Sequence, residues 1–291
     1  MQRFTFLFAL VLAQLSAAPA QRIVSTTPSI TEILYALGLG DRVVGVTKFC
    51  NYPKEAQSKP KIGDYINPNL EAITALKPDL VIIQTNPVRL AERLGTLHLR
   101  TLEVNQDSVA AIYRSIRAIS AETGVVSRGE SLIVDMTAKL DAVRLRSSNT
   151  NPVRVMFVVG RAPNSLDGLI VAAKASYLSE LIALAGGKNI FADAVATYPQ
   201  VSLEEVLARR PEVIIDFGDM AETGAVINQH KQAVVSLWGK MASVPAVKNR
   251  RVHAVAADIY VVPGPRAVLA AQAIFDMLHP LPMLHPEASQ Q

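Results

Sequence analysis

The chain holds one cysteine, Cys50, among 291 residues. A lone thiol closes no internal disulfide, so packing has to carry the stability. Aromatic residues are only 5% of the chain, too sparse for the stacking platforms that bind single-stranded nucleic acid. Charge of either sign is also scarce. Charged residues are 19% and hydrophobic residues 50%, which excludes a disordered polyelectrolyte. The net charge of +4 comes from scattered residues, and the longest basic runs are Arg209-Arg210 and Arg250-Arg251. That is a solvated surface and not a polyanion footprint, so no nucleic-acid partner is expected. Past the first 20 residues no apolar run reaches the roughly 18–20 residues that cross a bilayer.

Enzyme signatures are missing as well. No Gly-x-Gly-x-x-Gly follows the first strand, no Walker lysine loop is present, and no Gly-x-Ser-x-Gly elbow occurs. The histidines His98, His230, His253, His279 and His285 are scattered, with no pair at the i, i+4 spacing of a helical metal site. The expectation is a protein with no catalytic residue, no metal site and no cofactor. The rival is an exported hydrolase whose Cys50 meets a distant histidine.

What is present begins with a leader. Met1–Arg3 is a short basic start, Phe4–Leu15 is mostly apolar, and Ala18-Pro19-Ala20 is the small-x-small pattern of a signal peptidase site. Residues 1–20 are read as a cleavable signal peptide, with cleavage near Ala20, and no cysteine follows to take a lipid. The mature chain is expected in the periplasm. It opens with the short β-branched run Arg22-Ile23-Val24-Ser25, followed by a helix in which Ser29 and Glu32 form a capping box and Gly38 makes the left-handed stop. Strands over Val43–Val46, Leu80–Ile83 and Thr101–Val104 follow. Residues 126–146 then break the rhythm, with Leu132, Ile133, Met136, Leu140 and Val143 at helical spacing and a polar stop after them. The β-α alternation resumes with strands at Val153–Val159, Val213–Ile215 and Val252–Val255, and a last helix over Pro265–Leu278. This predicts an α/β fold of two Rossmann-like lobes with parallel sheets, at 21–124 and 151–291, joined by a single long helix within 125–150.

An internal match supports two similar lobes. Residues 69–83 align with 202–216 at an offset of 133, pairing Leu70/Leu203, Glu71/Glu204, Ala75/Ala208, Pro78/Pro211 and Ile82/Ile215. Glu71 and Glu204 each lie two residues past a helix cap, where the helix dipole favours a carboxylate by ~0.3–1 kcal/mol. Paired on two lobes, they also suit docking onto two basic sockets of a dimeric partner. Tyr65 and Tyr198 each stand six residues before those glutamates. With the loop Phe49–Pro53 they mark the edges of a cleft where strand ends gather. A further cluster, Asp258 to Arg266, holds Tyr260. There Arg266 either faces the cleft or pairs with Asp258.

These segments resemble a known family. Pro28-Ser-Ile-Thr-Glu32, Tyr52-Pro53, Asn69-Leu-Glu-Ala-Ile73, Leu76-Lys-Pro-Asp-Leu-Val81, Ala185-Gly-Gly-Lys-Asn-Ile190, Tyr198-Pro-Gln-Val-Ser202 and Gly264-Pro-Arg266 are similar to periplasmic substrate-binding proteins of ABC importers. The type is class III, the helical-backbone metal receptors, and the cobalamin-binding members are the most similar, with haem and iron-siderophore binders as relatives. The resemblance implies that cobalamin, or alternatively haem or a ferric siderophore, binds between the lobes of a monomer. It implies that Phe49, Tyr52, Tyr65, Tyr198, Asp258, Tyr260 and Arg266 line the cleft. It further implies that Glu71 and Glu204 meet arginines of an inner-membrane permease dimer with its ATPase subunits. Tyrosine stands here at two positions, 65 and 198, where the family often has tryptophan.

Overall fold

The computed structural model describes residues 18–85, 89–218 and 228–280. The expected signal peptide, apart from Ala18–Ala20, and the last residues of the expected second lobe, 281–291, lie outside the described residues. The first lobe runs β1 (Ile23–Ser25), α1 (Pro28–Ala36), β2 (Val43–Val46), α2 (Leu70–Ala75), β3 (Leu80–Gln84), α3 (Leu90–Gly95), β4 (Thr101–Val104) and α4 (Val109–Glu122). Its sheet is parallel throughout, in the order β2-β1-β3-β4. Strand β3 is buried nearly from end to end, because helices cover both faces.

Helix α5 (Val126–Ser147) follows, 22 residues and about 33 Å long at 1.5 Å per residue. Among the described residues it is the one place where the backbone passes from lobe to lobe. Ile133, Met136, Leu140 and Val143 form its buried stripe. The second lobe runs β5 (Val153–Gly160), β6 (Leu169–Val171), α6 (Tyr177–Leu184), β7 (Gly187–Asn189), β8 (Gln200–Val201), α7 (Leu203–Arg209), β9 (Val213–Asp216), α8 (Asn228–Gly239), α9 (Pro245–Lys248), β10 (Val252–Ala254) and α10 (Ala267–Leu278). Strands β10, β9, β5 and β7 are parallel and repeat the order of the first lobe. The sheet is not parallel throughout, as the sequence had suggested. After β5 the chain folds back through left-handed Asn164 and Gly168, so β6 pairs antiparallel with β5 and β8 antiparallel with β6.

The internal match is borne out in detail. Asn69 and Ser202 cap α2 and α7, accepting hydrogen bonds from the Ala72 and Glu205 amides. Lys77 and Arg210, again 133 apart, are both left-handed at φ +47°. Two local expectations fail. Ser29 is not a cap: Pro28 opens α1 with Thr27 before it, and the Ser29 hydroxyl donates to Gln106 Oε1 at 2.6 Å. Pro265 does not begin the last helix, which starts at Ala267 after Arg266.

Three buried clusters divide the molecule into layers. One lies under α2 and α3 on the outer side of lobe 1, around Ile73, Val81 and Leu94. One lies under α7, α8 and α9 on the outer side of lobe 2, around Val206, Trp238 and Ala246. The largest runs through both lobes, from Ile30 and Ile116 through Met136 to Phe157, Leu181 and Ile274. The inner helices α1, α4, α6 and α10 therefore share one apolar layer with α5.

Candidate functional site: the interlobe cleft

The first wall is built by loops at the carboxyl end of β2. The chain leaves β2 through Thr47 and presents Phe49 and Tyr52, both exposed. Gly63, at φ +93°, turns the following loop, and the Asp64 carboxylate accepts from the Ile66 and Asn67 amides at 3.0 and 2.7 Å. The Asn67 amide, with help from Lys48, holds the Asp64 carboxyl below its usual range. This turn sets Tyr65 edge-on to Phe49, with ring centroids 5.7 Å apart, and Lys48 lies 4.9 Å over the Phe49 ring. Phe49, Tyr52 and Tyr65 thus make an exposed aromatic wall on lobe 1.

The second wall meets it at Arg266. Its guanidinium sits 3.9 Å over the Tyr52 ring, joining lobe 2 to lobe 1 by a cation–π contact. Nη1 donates to Asp258 Oδ1 at 2.9 Å, and Nε donates to Glu32 Oε2 at 3.0 Å. A second bond, from Nη2 to Glu32 Oε1, makes the Glu32 pair bidentate. The expected pairing of Arg266 with Asp258 is observed and Glu32 joins it, while the stacking on Tyr52 keeps the guanidinium at the junction of the two walls. Burial pushes the Glu32 carboxyl up to about 7 against the opposing pull of Arg266. The two carboxylates keep Arg266 charged and hold its pKa above the ordinary arginine value, although burial works the other way.

Tyr198 is 42% exposed. Partial desolvation first, and the Asp107 carboxylate on the opposite lobe second, push its hydroxyl up to about 12. Tyr260 does not stand on the cleft wall. It is 7% exposed, its ring packs 6.1 Å from that of Phe157, and its carbonyl accepts from the Tyr177 hydroxyl at 2.5 Å. It supports the wall from beneath, because the short turn at Asp258–Tyr260 drives its side chain into the inner apolar layer. Cys50 is fully buried, with its sulfur 3.1 Å from the Thr31 hydroxyl and 3.2 Å from that of Thr47. No histidine is bonded to it among the described residues.

Glu71 and Glu204 stand exposed in the first turns of α2 and α7. The Glu204 carboxyl is held below its usual range by its own backbone amide and then by the Ser202 hydroxyl, so it stays ionised.

Sequence reasoning missed one member of this cluster. Glu32 looked like a helix cap and is instead the partner of Arg266, 234 residues away. Only the remoteness of the pair hid it.

The pattern of the periplasmic binding protein family matches residues 23–258, most of the chain. The chain belongs to that family. Among its members, the vitamin B12-binding protein of Vibrio cholerae serotype O1 is 32% identical over 273 residues, which is 93% of each chain. The crystal structure of the periplasmic vitamin B12 binding protein BtuF of Vibrio cholerae superposes with a TM-score of 0.75 at 31% identity, over 89% of this chain and 97% of that one. The periplasmic heme-binding protein RhuT from Roseiflexus sp. RS-1 superposes with a TM-score of 0.74 at 29% identity, over 89% and 100%. These relatives of the periplasmic binding protein family are binding proteins, not enzymes, and they share the two-lobed α/β architecture described above.

Proposed function

We propose that the protein is the cargo-binding component of an ATP-driven importer in the periplasm, and that it carries cobalamin or a closely related corrinoid. The cargo sits between the lobes, against Phe49, Tyr52 and Tyr65 on one side and Tyr198 on the other. It is bound and released without covalent change and is delivered to an inner-membrane permease dimer, with its ATPase subunits, through Glu71 and Glu204. The protein works as a monomer with no cofactor and no catalytic residue.

The observation that carries the choice of cargo is the state of Arg266. Its charge is already matched by Glu32 and Asp258, and Lys48 at the aromatic wall faces the Asp64 carboxylate at 3.6 Å. A corrinoid, rimmed by neutral amides, asks for aromatic area and hydrogen-bonding partners. Haem brings two carboxylates that need a free cation. The aromatic wall with its saturated arginine therefore supports the corrinoid, in line with the vitamin B12-binding relatives. Haem or a ferric siderophore is the second reading, favoured by the exposed phenols of Tyr52, Tyr65 and Tyr198, which are iron-ligand chemistry. The hydrolase reading has no support, since Cys50 is buried between two hydroxyls and away from the cleft loops' surface.

Titration with cyanocobalamin, followed by calorimetry, tests this. Saturable binding at or below micromolar ligand is the expected result, and no binding there removes the cobalamin reading. The visible spectrum of protein purified from native periplasm separates the readings further, because corrin and haem chromophores absorb differently.

A further inference from the structure

A second internal match runs through the first helix of each lobe. Ile30-Thr31-Glu32-Ile33-Leu34 in α1 aligns with Leu178-Ser179-Glu180-Leu181-Ile182 in α6, at an offset of 148. Gly38 and Gly186 close the two helices at the same offset, both left-handed at φ +71° and +78°. At Gly186 any side chain would strike Ser147, Thr150 and His279, so this helix end is pressed against the end of α5. Glu32 and Glu180 are thus counterparts.

Both cross to the other lobe. Glu32 on α1 takes two hydrogen bonds from Arg266, the residue that precedes α10. Glu180 on α6 accepts the Val109 amide, at the start of α4, at 2.8 Å. Helices α4 and α10 are themselves counterparts, since each follows the parallel edge strand of its sheet, β4 or β10. Each lobe therefore sends a glutamate from its first inner helix to the opening of the other lobe's last inner helix. The two endings differ. Glu180 meets a backbone N–H at the positive end of a 14-residue helix, and Glu32 meets a guanidinium that also carries Tyr52.

We propose that Glu32 and Glu180 are a reciprocal pair of interlobe clasps, and that they hold the cleft at its working width before any cargo enters. The link through α5 and the apolar layer around it are non-directional and leave the lobes a small freedom to bend and twist about the ends of the helix. Two ties at separate helices remove that freedom. In this role Glu32 is a positioning residue: it fixes Arg266 beneath Tyr52 and so joins the two walls. Charged and titratable groups facing Glu32 are Arg266, Asp258 and Tyr177.

The test needs no ligand, so it is independent of the cargo assignment. Nitroxide labels at Ser58→Cys and Ala192→Cys, both exposed and on opposite lobes, report the lobe separation by electron–electron resonance at pH 8. Native Cys50 is buried and stays unlabelled. The expected result is one narrow distance distribution for the parent, broadened by about twofold and moved to a longer mean in Glu32→Ala/Glu180→Ala, with each single variant between. The Gln double variant, which keeps shape and loses charge, broadens less. If the Ala double variant fails to fold, the Gln double variant decides on the same criterion. A distribution in the folded double variant that coincides with the parent's overturns the proposal. So does failure of both double variants to fold, because the pairs would then hold the fold together and not set a spacing.

Discussion

Arg22 and Arg154 close the same joint in the two lobes. Arg22 donates to the Lys77 and Leu76 carbonyls that end α2, and Arg154 donates to the Arg210 and Arg209 carbonyls that end α7. The acidic residues two positions after those left-handed caps complete each joint. Asp79 accepts the Gln21 and Arg22 amides at 2.8 and 2.9 Å, and Glu212 accepts the Arg154 amide at 2.8 Å. Helix-end carbonyls without an intrahelical donor are satisfied here by an arginine at the start of the lobe's first strand, Arg154 within β5 and Arg22 just before β1. Replacing Arg154 with Ala is expected to lower stability by ~1–2 kcal/mol, the net value of one or two such hydrogen bonds, with a smaller loss for the more exposed Arg22→Ala. Urea unfolding followed by circular dichroism measures both.

The exposed glutamates lead to a functional prediction. Glu71→Ala with Glu204→Ala is expected to abolish stimulation of the importer's ATPase while cargo affinity stays within about twofold, because rim charges set docking and not cargo contacts. A joint loss of cargo binding and stimulation would make these residues structural caps only.

Glu32 sets a pH dependence. Its carboxyl titrates near 7 in the folded protein and near 4.5 when free, so the native state holds the extra proton between those values. Stability from this group is then highest below about 4.5 and falls as pH rises through about 7, because the folded state holds the proton that the unfolded chain has lost. Glu32→Gln cannot ionise and is expected to flatten the slope of unfolding free energy between pH 5 and 8. An unchanged slope in that variant would assign the pH dependence to other groups.

Ala20, the residue at the expected cleavage point, is also held by contacts. Ala20 is buried, its amide donates to the Glu122 carbonyl at 3.1 Å, and its carbonyl accepts from Arg42 at 3.2 Å. Cleavage after Ala20 would discard these bonds. We propose a boundary upstream of the one expected after Ala20: mass spectrometry of the exported protein is expected to show a first residue at or before Ala20, and a chain starting at Gln21 would keep the expected boundary and contradict this.

Much of the fold was legible because it is local. Four-residue apolar runs such as Leu80–Ile83, the heptad-like stripe of α5 and the capped repeats at Asn69 and Ser202 write their own structure. Antiparallel β6 and β8 were not legible, since a three-residue and a two-residue strand carry too little periodicity. Of the candidate site, the aromatic loop residues were found from their place before helices. Glu32 was not, because a glutamate three residues after a serine reads as a cap, and its actual partner is set by how two lobes meet. Tyr260 was placed on the wall for a related reason: sequence gives a residue's neighbourhood but not which way a one-turn segment points it.

The inner apolar layer has a consequence for how the protein comes apart. Ile133, Met136, Leu140 and Val143 of α5 are covered from both sides of the cleft, by Ile116 and its neighbours on one side and Leu181 and Ile274 on the other. Either half produced alone would bare a strip of this greasy seam to water. The two halves are separate as jaws but inseparable in melting: they should be lost in one cooperative transition, and neither is a fragment that a protease could release intact.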